Sequence, residues 1–356
     1  MKAAYRVPAK LAVLCLTAAG LGTRGEAAPM QFSIINTKVE RFKQIVLEGG
    51  QVRIFAVGDI EANTADKFRA FVTTHNIKDA KVHFNSPGGS LTGGLRLGEL
   101  IRDLGFDTTV QAEGWEYGNP PSAICASACA YAFAGGVSRF YTESAGRLGL
   151  HQFSLPDSKL GDLRMAQDMS GVLAAYLEKM GVKPMAFVAA STTDSAQMLW
   201  LTSKDAEEVG LANNGILPTT AEIKLANGIP YLRLEQVQYN VTARVILTCY
   251  EHRYSILGGI VTNPDNAEWM SNWQHRAYLE FDNDEKYVKS GVGSSKASDS
   301  TLWIDRDVSV EDAHRLLTTK TLGMWVENGG PMRRGAMIDL VPVHDKIDYY
   351  LKNCVR

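Results

Sequence analysis

The chain has 356 residues, 45% of them apolar, and a formal net charge of −2 at pH 7. That is chain and apolar content enough for one large domain or two moderate ones, each with its own core. The near-neutral balance removes any electrostatic case for nucleic acid or an anionic membrane surface as partner.

In chain order, Lys2, Arg6 and Lys10 come first, then an apolar run over residues 11–21, then Gly25-Glu26-Ala27-Ala28. A basic start, a short apolar run and small residues for cleavage make residues 1–28 read as a secretory signal peptide. The run is shorter than the ~20 apolar residues a membrane span needs. The expected location is periplasmic or secreted, with a retained anchor as the alternative. Cys15 leaves with the signal, so Cys125, Cys129, Cys249 and Cys354 remain. An even count in an oxidising compartment suggests disulfides, and four cysteines allow three connectivities. Their positions favour a local pair, Cys125 with Cys129, and a distant pair, Cys249 with Cys354. No Cys-x-x-Cys pattern or His/Cys cluster suggests a metal, and no cofactor is expected.

From about residue 50, strand and helix patterns alternate. Residues 52–57 are strand-like, and Asn63 or Thr64 can cap a helix carrying Phe68, Phe71 and Val72. Lys81-Val82-His83-Phe84 is a short strand halted by Ser86-Pro87-Gly88-Gly89, and Leu91, Leu95, Gly98, Ile101 and Leu104 mark one helical face. Residues 108–110 resume a strand, and residues 128–134 form a small-residue helix ended by Gly135-Gly136. Repeated strand–helix units predict an α/β domain, residues 29–215, on a mostly parallel, covered sheet. Within it, Met165, Met169, Val172, Leu173, Tyr176, Leu177 and Met180 share a helical face suited to core or subunit contact. Residues 216–229, after Ala212-Asn213-Asn214-Gly215, read as a linker. Residues 230–356, with alternation such as Ala243-Arg244-Val245-Ile246-Leu247-Thr248, read as a β-rich domain of unknown role.

Three short segments carry chemistry: Asn85-Ser86-Pro87-Gly88-Gly89-Ser90, Cys125-Ala126-Ser127-Ala128-Cys129, and Gly149-Leu150-His151-Gln152. A serine in a small-residue turn, a histidine ending an apolar run and a Pro-Gly-Gly turn are parts for acyl transfer. Each has an ordinary reading as well. Ser127 could be a helix cap, His151 a structural histidine and Gly88-Gly89 a plain tight turn. His83 alternates with Val82 and Phe84 and is expected to pack against a strand face.

In their order and spacing these segments resemble the Clp protease/crotonase superfamily, and within it the exported Clp-protease-like serine peptidases. The Asn-Ser-Pro-Gly-Gly turn, Ala126-Ser127-Ala128 followed by Ala134-Gly135-Gly136, Leu150-His151-Gln152, and Leu201-Thr202-Ser203 with Ala206, Glu208, Gly210 and Leu211 match it over residues 50–212. The resemblance implies Ser127 as nucleophile, His151 as general base, and Gly88 and Ala128 as backbone donors of an oxyanion hole. The family's third member is missing, because its position falls on Met198. Asp194, four residues earlier, is the candidate taken here; a backbone or amide substitute and Asp205 are the alternatives. Cys125 and Cys129 flank Ser127, and a bridge between them would clamp the nucleophile turn; a cysteine nucleophile is the weaker alternative.

The function expected is an exported serine hydrolase, a peptidase that forms an acyl-enzyme with a peptide or protein substrate. No nucleic acid and no ATP-driven unfoldase are expected as partners; a homo-oligomer stays open. The rivals are a catalytically decayed envelope binding protein and a crotonase-type enzyme acting on acyl-thioesters.

Overall fold

The computed structural model describes residues 28–34, 51–114, 123–153, 162–239, 241–251, 253–291 and 293–354. The segment read as a signal peptide lies outside the described residues, apart from Ala28. Among the described residues no helix is long and apolar enough to cross a membrane.

The fold is mixed α/β with a β-rich C-terminal region. The first part runs β1 (Gln31–Ile34), β2 (Val52–Val57), α1 (Thr64–Thr74), β3 (Ala80–Asn85), α2 (Leu91–Asp103), β4 (Asp107–Val110), β5 (Ala123–Ala126), α3 (Ala128–Ala134), β6 (Arg139–Phe140) and β7 (Gly146–Leu150). It ends with α4 (Asp162–Lys179), α5 (Pro184–Thr192), β8 (Leu199–Leu201) and α6 (Ser203–Glu208). One sheet has the order β1-β2-β3-β4-β6 and a smaller one the order β5-β7-β8. Strands β2, β3, β4 and β6 pair in parallel, while β1 is an antiparallel edge. Parallel strands covered on both faces need continuous apolar runs, and β3 is buried from Ala80 to Phe84.

An isolated bridge between Ser86 and Cys125 joins the small sheet to the end of β3. Phe68, Phe84, Phe106 and Phe133 are fully buried in the core these elements share. Each such side chain contributes roughly 1.5–3 kcal/mol.

The second part runs β9 (Thr220–Ala226), β10 (Ile229–Gln238), β11 (Val241–Tyr250), β12 (Arg253–Val261), α7 (Pro264–Trp273), β13 (Arg276–Phe281), β14 (Asp284–Ser290), β15 (Lys296–Ser298) and β16 (Thr301–Val308). Then come α8 (Val310–Arg315), β17 (Thr321–Glu327), β18 (Arg333–Asp339) and α9 (His344–Lys352). Its antiparallel sheets have the orders β15-β16-β12-β11-β10-β9 and β14-β13-β17-β18. Both contribute to a second core around Leu247, Ile256, Leu279 and Met324. Along β11, Ala243, Val245, Leu247 and Cys249 are buried and alternate with half-buried neighbours. That is the pattern of a sheet covered on one face.

Residues 216–229 are more than a linker. They contain β9, which pairs with β10 along its whole length. As an edge strand it leaves Ile223 and Leu225 exposed, so burial imposes no alternation for a sequence reading to find. The apolar stripe of α4 also divides: Leu173, Tyr176, Leu177 and Met180 are buried, whereas Met165 and Val172 face outward.

The four cysteines form two bridges, Cys125–Cys129 with Cα atoms 5.1 Å apart and Cys249–Cys354 with Cα atoms 5.7 Å apart. The second ties the segment after α9 to β11. Tyr350 reinforces it, its hydroxyl accepting from Cys249 N–H and donating to Pro230 O, both at 3.0 Å.

Candidate active site

Ser127 is the one residue between β5 and α3, with φ +56° and ψ −124°. Few L-residues adopt this backbone region, and holding one there costs of order 1–3 kcal/mol. Local bonds impose it. Ser127 N–H donates to Gly149 O and Ser127 O accepts from Ala130 N–H, both at 3.0 Å. The Cys125–Cys129 bridge closes over the same turn.

The side chain is not spent on capping. Ser127 occupies the N-cap position of α3 but makes no cap hydrogen bond. Ser90, Thr202, Asn263 and Ser309, at the same position of their helices, all accept from a helix N–H. Ser127 is partly exposed, and its hydroxyl has no hydrogen-bond partner among the described residues.

The Pro-Gly-Gly turn packs directly on it. Gly88 has φ +107°, and a β-carbon there would lie 2.6 Å from Ala126 O, 2.9 Å from Ser127 Cβ and 3.1 Å from Ala128 N. Only glycine permits both the dihedral and the approach. The turn is fixed by Ser86 N–H to Ile124 O at 2.7 Å, Ile60 N–H to Gly88 O at 2.7 Å, and Ile124 N–H to Asn85 Oδ1 at 3.1 Å. Ala128, first residue of α3, offers an N–H that no helix carbonyl can accept. Gly88 N–H instead donates to Ser86 Oγ at 3.1 Å. The neighbouring Gly89 N–H has no partner among the described residues. Ser86 is thus a participant that the motif displays without revealing its role.

His151 follows β7, which pairs in parallel with β5, Ala126 opposite Gly149. Serine and histidine therefore leave the same end of one small sheet. The imidazole is half-buried, and its Nδ1 is buried with no hydrogen-bond partner. No hydrogen bond joins it to Ser127 Oγ; catalytic contacts often tighten only once substrate is bound. Beyond it, Gln152 N–H donates to Thr193 O at 2.9 Å.

Neither candidate carboxylate reaches His151. Asp194 is exposed, and its Oδ1 accepts from Ala196 N–H at 2.8 Å in a local turn. Asp205 closes a capping box with Thr202, whose hydroxyl donates to Asp205 Oδ2 at 2.7 Å. Hydrogen bonds from Thr202 hold this exposed carboxyl below its ordinary value. Met198 is the residue beside the histidine's strand. The pairing of β7 with β8 ends at Leu150 opposite Leu199, one residue short of both His151 and Met198. A β-carbon on Gly149 would meet Met198 Sδ at 2.7 Å.

His83 lies fully buried on β3, its ring 4.9 Å from that of Phe55. Burial first, then the nearby Lys81 and Arg53 charges, push it down to about 3, against a small opposing effect of Gln111. It is a neutral core residue, as its place between Val82 and Phe84 suggests.

The far end of α3 is held by two arginines that no sequence motif announces. Arg102 donates to Gly135 O at 2.9 Å and Gly136 O at 2.8 Å; Arg139 donates to Gly136 O at 3.0 Å and Leu211 O at 2.8 Å. They satisfy carbonyls that a helix end leaves without partners.

Comparison with protein-family models and with curated proteins yields no match. The chemistry of the site is read from its own atoms.

Proposed function

We propose that this chain is an exported serine hydrolase with a Clp-protease-like catalytic domain, a peptidase that works through an acyl-enzyme on Ser127. The observation that carries the reading is the uncommitted, strained Ser127 hydroxyl, with Gly88 pressed against it and His151 at the same sheet end. Ser127 Oγ attacks the peptide carbonyl while His151 Nε2 takes its proton. The oxyanion receives N–H groups from Ala128 and from the Gly88-Gly89 turn. His151 then protonates the leaving amine, and water, deprotonated by the same imidazole, releases the acid. No described carboxylate orients the imidazole, so the unit acts as a dyad. Two disulfides and four paired cysteines favour an oxidising compartment, periplasmic or extracellular.

Fluorophosphonate labelling of the full exported chain tests the reading. Covalent modification mapped to Ser127 is expected, and an unlabelled protein would overturn it. One observation favours a decayed binding protein as the second reading: His151 Nδ1 is buried and left without a partner.

A further inference from the structure

An open cleft of about 350 Å³ lies in the β-rich region, far in sequence from Ser127. Its floor is apolar, with Ile260 and Met270 buried. Trp269 on α7 and Trp325 on β17 form walls, and none of the ten lining residues is acidic. The Trp325 ring lies across the backbone at two glycines: a β-carbon on Gly323 would sit 2.2 Å from its Nε1, and one on Gly335 2.7 Å from its Cε3.

The two arginines at the cleft differ. Arg333 stacks on Trp325, its guanidinium 4.0 Å from the ring centre, and its charge is matched by Glu280 at 2.6 Å. Arg334 stacks on Trp269 at 4.8 Å and on Trp273 at 5.8 Å, and its guanidinium makes no ion pair or hydrogen bond among the described residues. Stacking fixes the guanidinium plane while leaving its donors open for a planar, two-oxygen acceptor. Trp325 Nε1 is buried against the Gly323 backbone, so the open donors at the cleft are those of Arg334. One unpaired guanidinium over an apolar floor selects an acceptor anion carried on an apolar body. The exposed Asn266 side chain, unengaged among the described residues, offers both a donor and an acceptor. That suits a peptide amide and is of no use to a fatty acid.

We infer that this cleft binds the C-terminal carboxylate of a peptide whose last residue is apolar, with Arg334 on the carboxylate and Trp269 and Trp325 around the side chain. The volume, at the low end of the ~300–1,000 Å³ of ligand pockets, suits one terminal residue and the amide before it. Carboxylate capture of this kind is a recurring mode of peptide recognition.

The test is calorimetric titration of the full chain, disulfides intact, with N-acetyl-L-phenylalanine, its C-terminal amide, hexanoate and acetate. The acid should bind at least tenfold more tightly than any of the other three. Arg334→Ala and Trp269→Ala should each weaken it about tenfold, whereas Lys289→Ala and Ser127→Ala should leave it unchanged. Because Ser127→Ala retains binding, failure of the hydrolase reading and failure of this one are separable. Equal affinity for acid and amide, hexanoate binding as well as the acid, or an Arg334→Ala variant indistinguishable from wild type would each overturn the assignment. So would an absence of binding at millimolar concentration. Both variants change exposed side chains, and circular dichroism verifies that they fold.

Discussion

Gly88 and Ser127 are so close that a β-carbon on the glycine would come within 2.9 Å of the serine's own. Gly88→Ala must push the two segments apart and adopt φ +107° with a side chain. Hydrolysis of a generic ester is expected to fall by on the order of 10², because shifting the turn misplaces the reacting groups around Ser127. Stability should fall by roughly 1–3 kcal/mol from the backbone strain. Steady-state kinetics alongside a thermal melt checks both, and wild-type turnover in this variant would remove the turn from the site.

Ser127→Ala should abolish hydrolysis with folding intact, because the hydroxyl holds nothing in place. His151→Ala should reduce turnover nearly as far. The double variant should be no worse than either alone, since a nucleophile and its base act as one unit. Losses that multiply would show two independent roles.

Replacing Cys125 and Cys129 together by alanine releases the turn that carries Ser127. Far-UV circular dichroism should hardly change, but turnover should fall by on the order of 10², the cost of a small misplacement of a reacting group. Unchanged kinetics would mean that the Gly149 and Ala130 hydrogen bonds suffice to hold the serine.

His83 gives a pH dependence of known sign. Its pKa in the fold is about 3, well below the ordinary 6.5. Below pH 6.5 the unfolded chain takes up a proton that the folded one refuses, so stability falls as pH falls. The slope approaches about 1.4 kcal/mol per pH unit until roughly pH 3. Denaturant unfolding at pH 7 and pH 4.5 should show this loss in wild type and a smaller one in His83→Phe. Equal losses would mean that the imidazole can be protonated in place.

Cys354→Ser opens a loop with a sequence separation of 105, worth roughly 4–5 kcal/mol in the chain-entropy view. The Tyr350 hydroxyl still ties α9 to Cys249 N–H and Pro230 O. The single variant should therefore melt earlier yet keep its C-terminal amides protected from hydrogen exchange. Adding Tyr350→Phe should expose them; protection that survives both changes would assign docking to apolar contacts alone.

Residues 51–153 were largely legible because every signal there is local. Gly-Gly after β3, small residues along α3 and the apolar positions of β3 and β7 each follow from what a neighbouring turn or covered sheet requires. The distant bridge was legible for a different reason: once export was expected, an even cysteine count left few pairings. Strand β9 was not legible, since an exposed edge places no demand on its side chains. Met198 was legible only as an apolar residue at the expected carboxylate position, and the engagement of Asp194 with Ala196 N–H depends on a turn whose shape no spacing specifies. The Trp–Arg cleft was out of reach, because Trp269, Trp325 and Arg334 come from α7, β17 and β18 and meet only once both sheets have formed.

The two bridges do not interleave: Cys125 and Cys129 are joined across four residues, and both partners of the other pair come later. During synthesis each half of the first pair meets its mate before Cys249 or Cys354 exists. Among these four thiols, an oxidant working on the emerging chain therefore finds only one pairing to make at each stage. Chains with crossed bridges pass through mispaired species that must be reshuffled over seconds to hours. This chain can reach its native connectivity in order of appearance, with little demand on an isomerase.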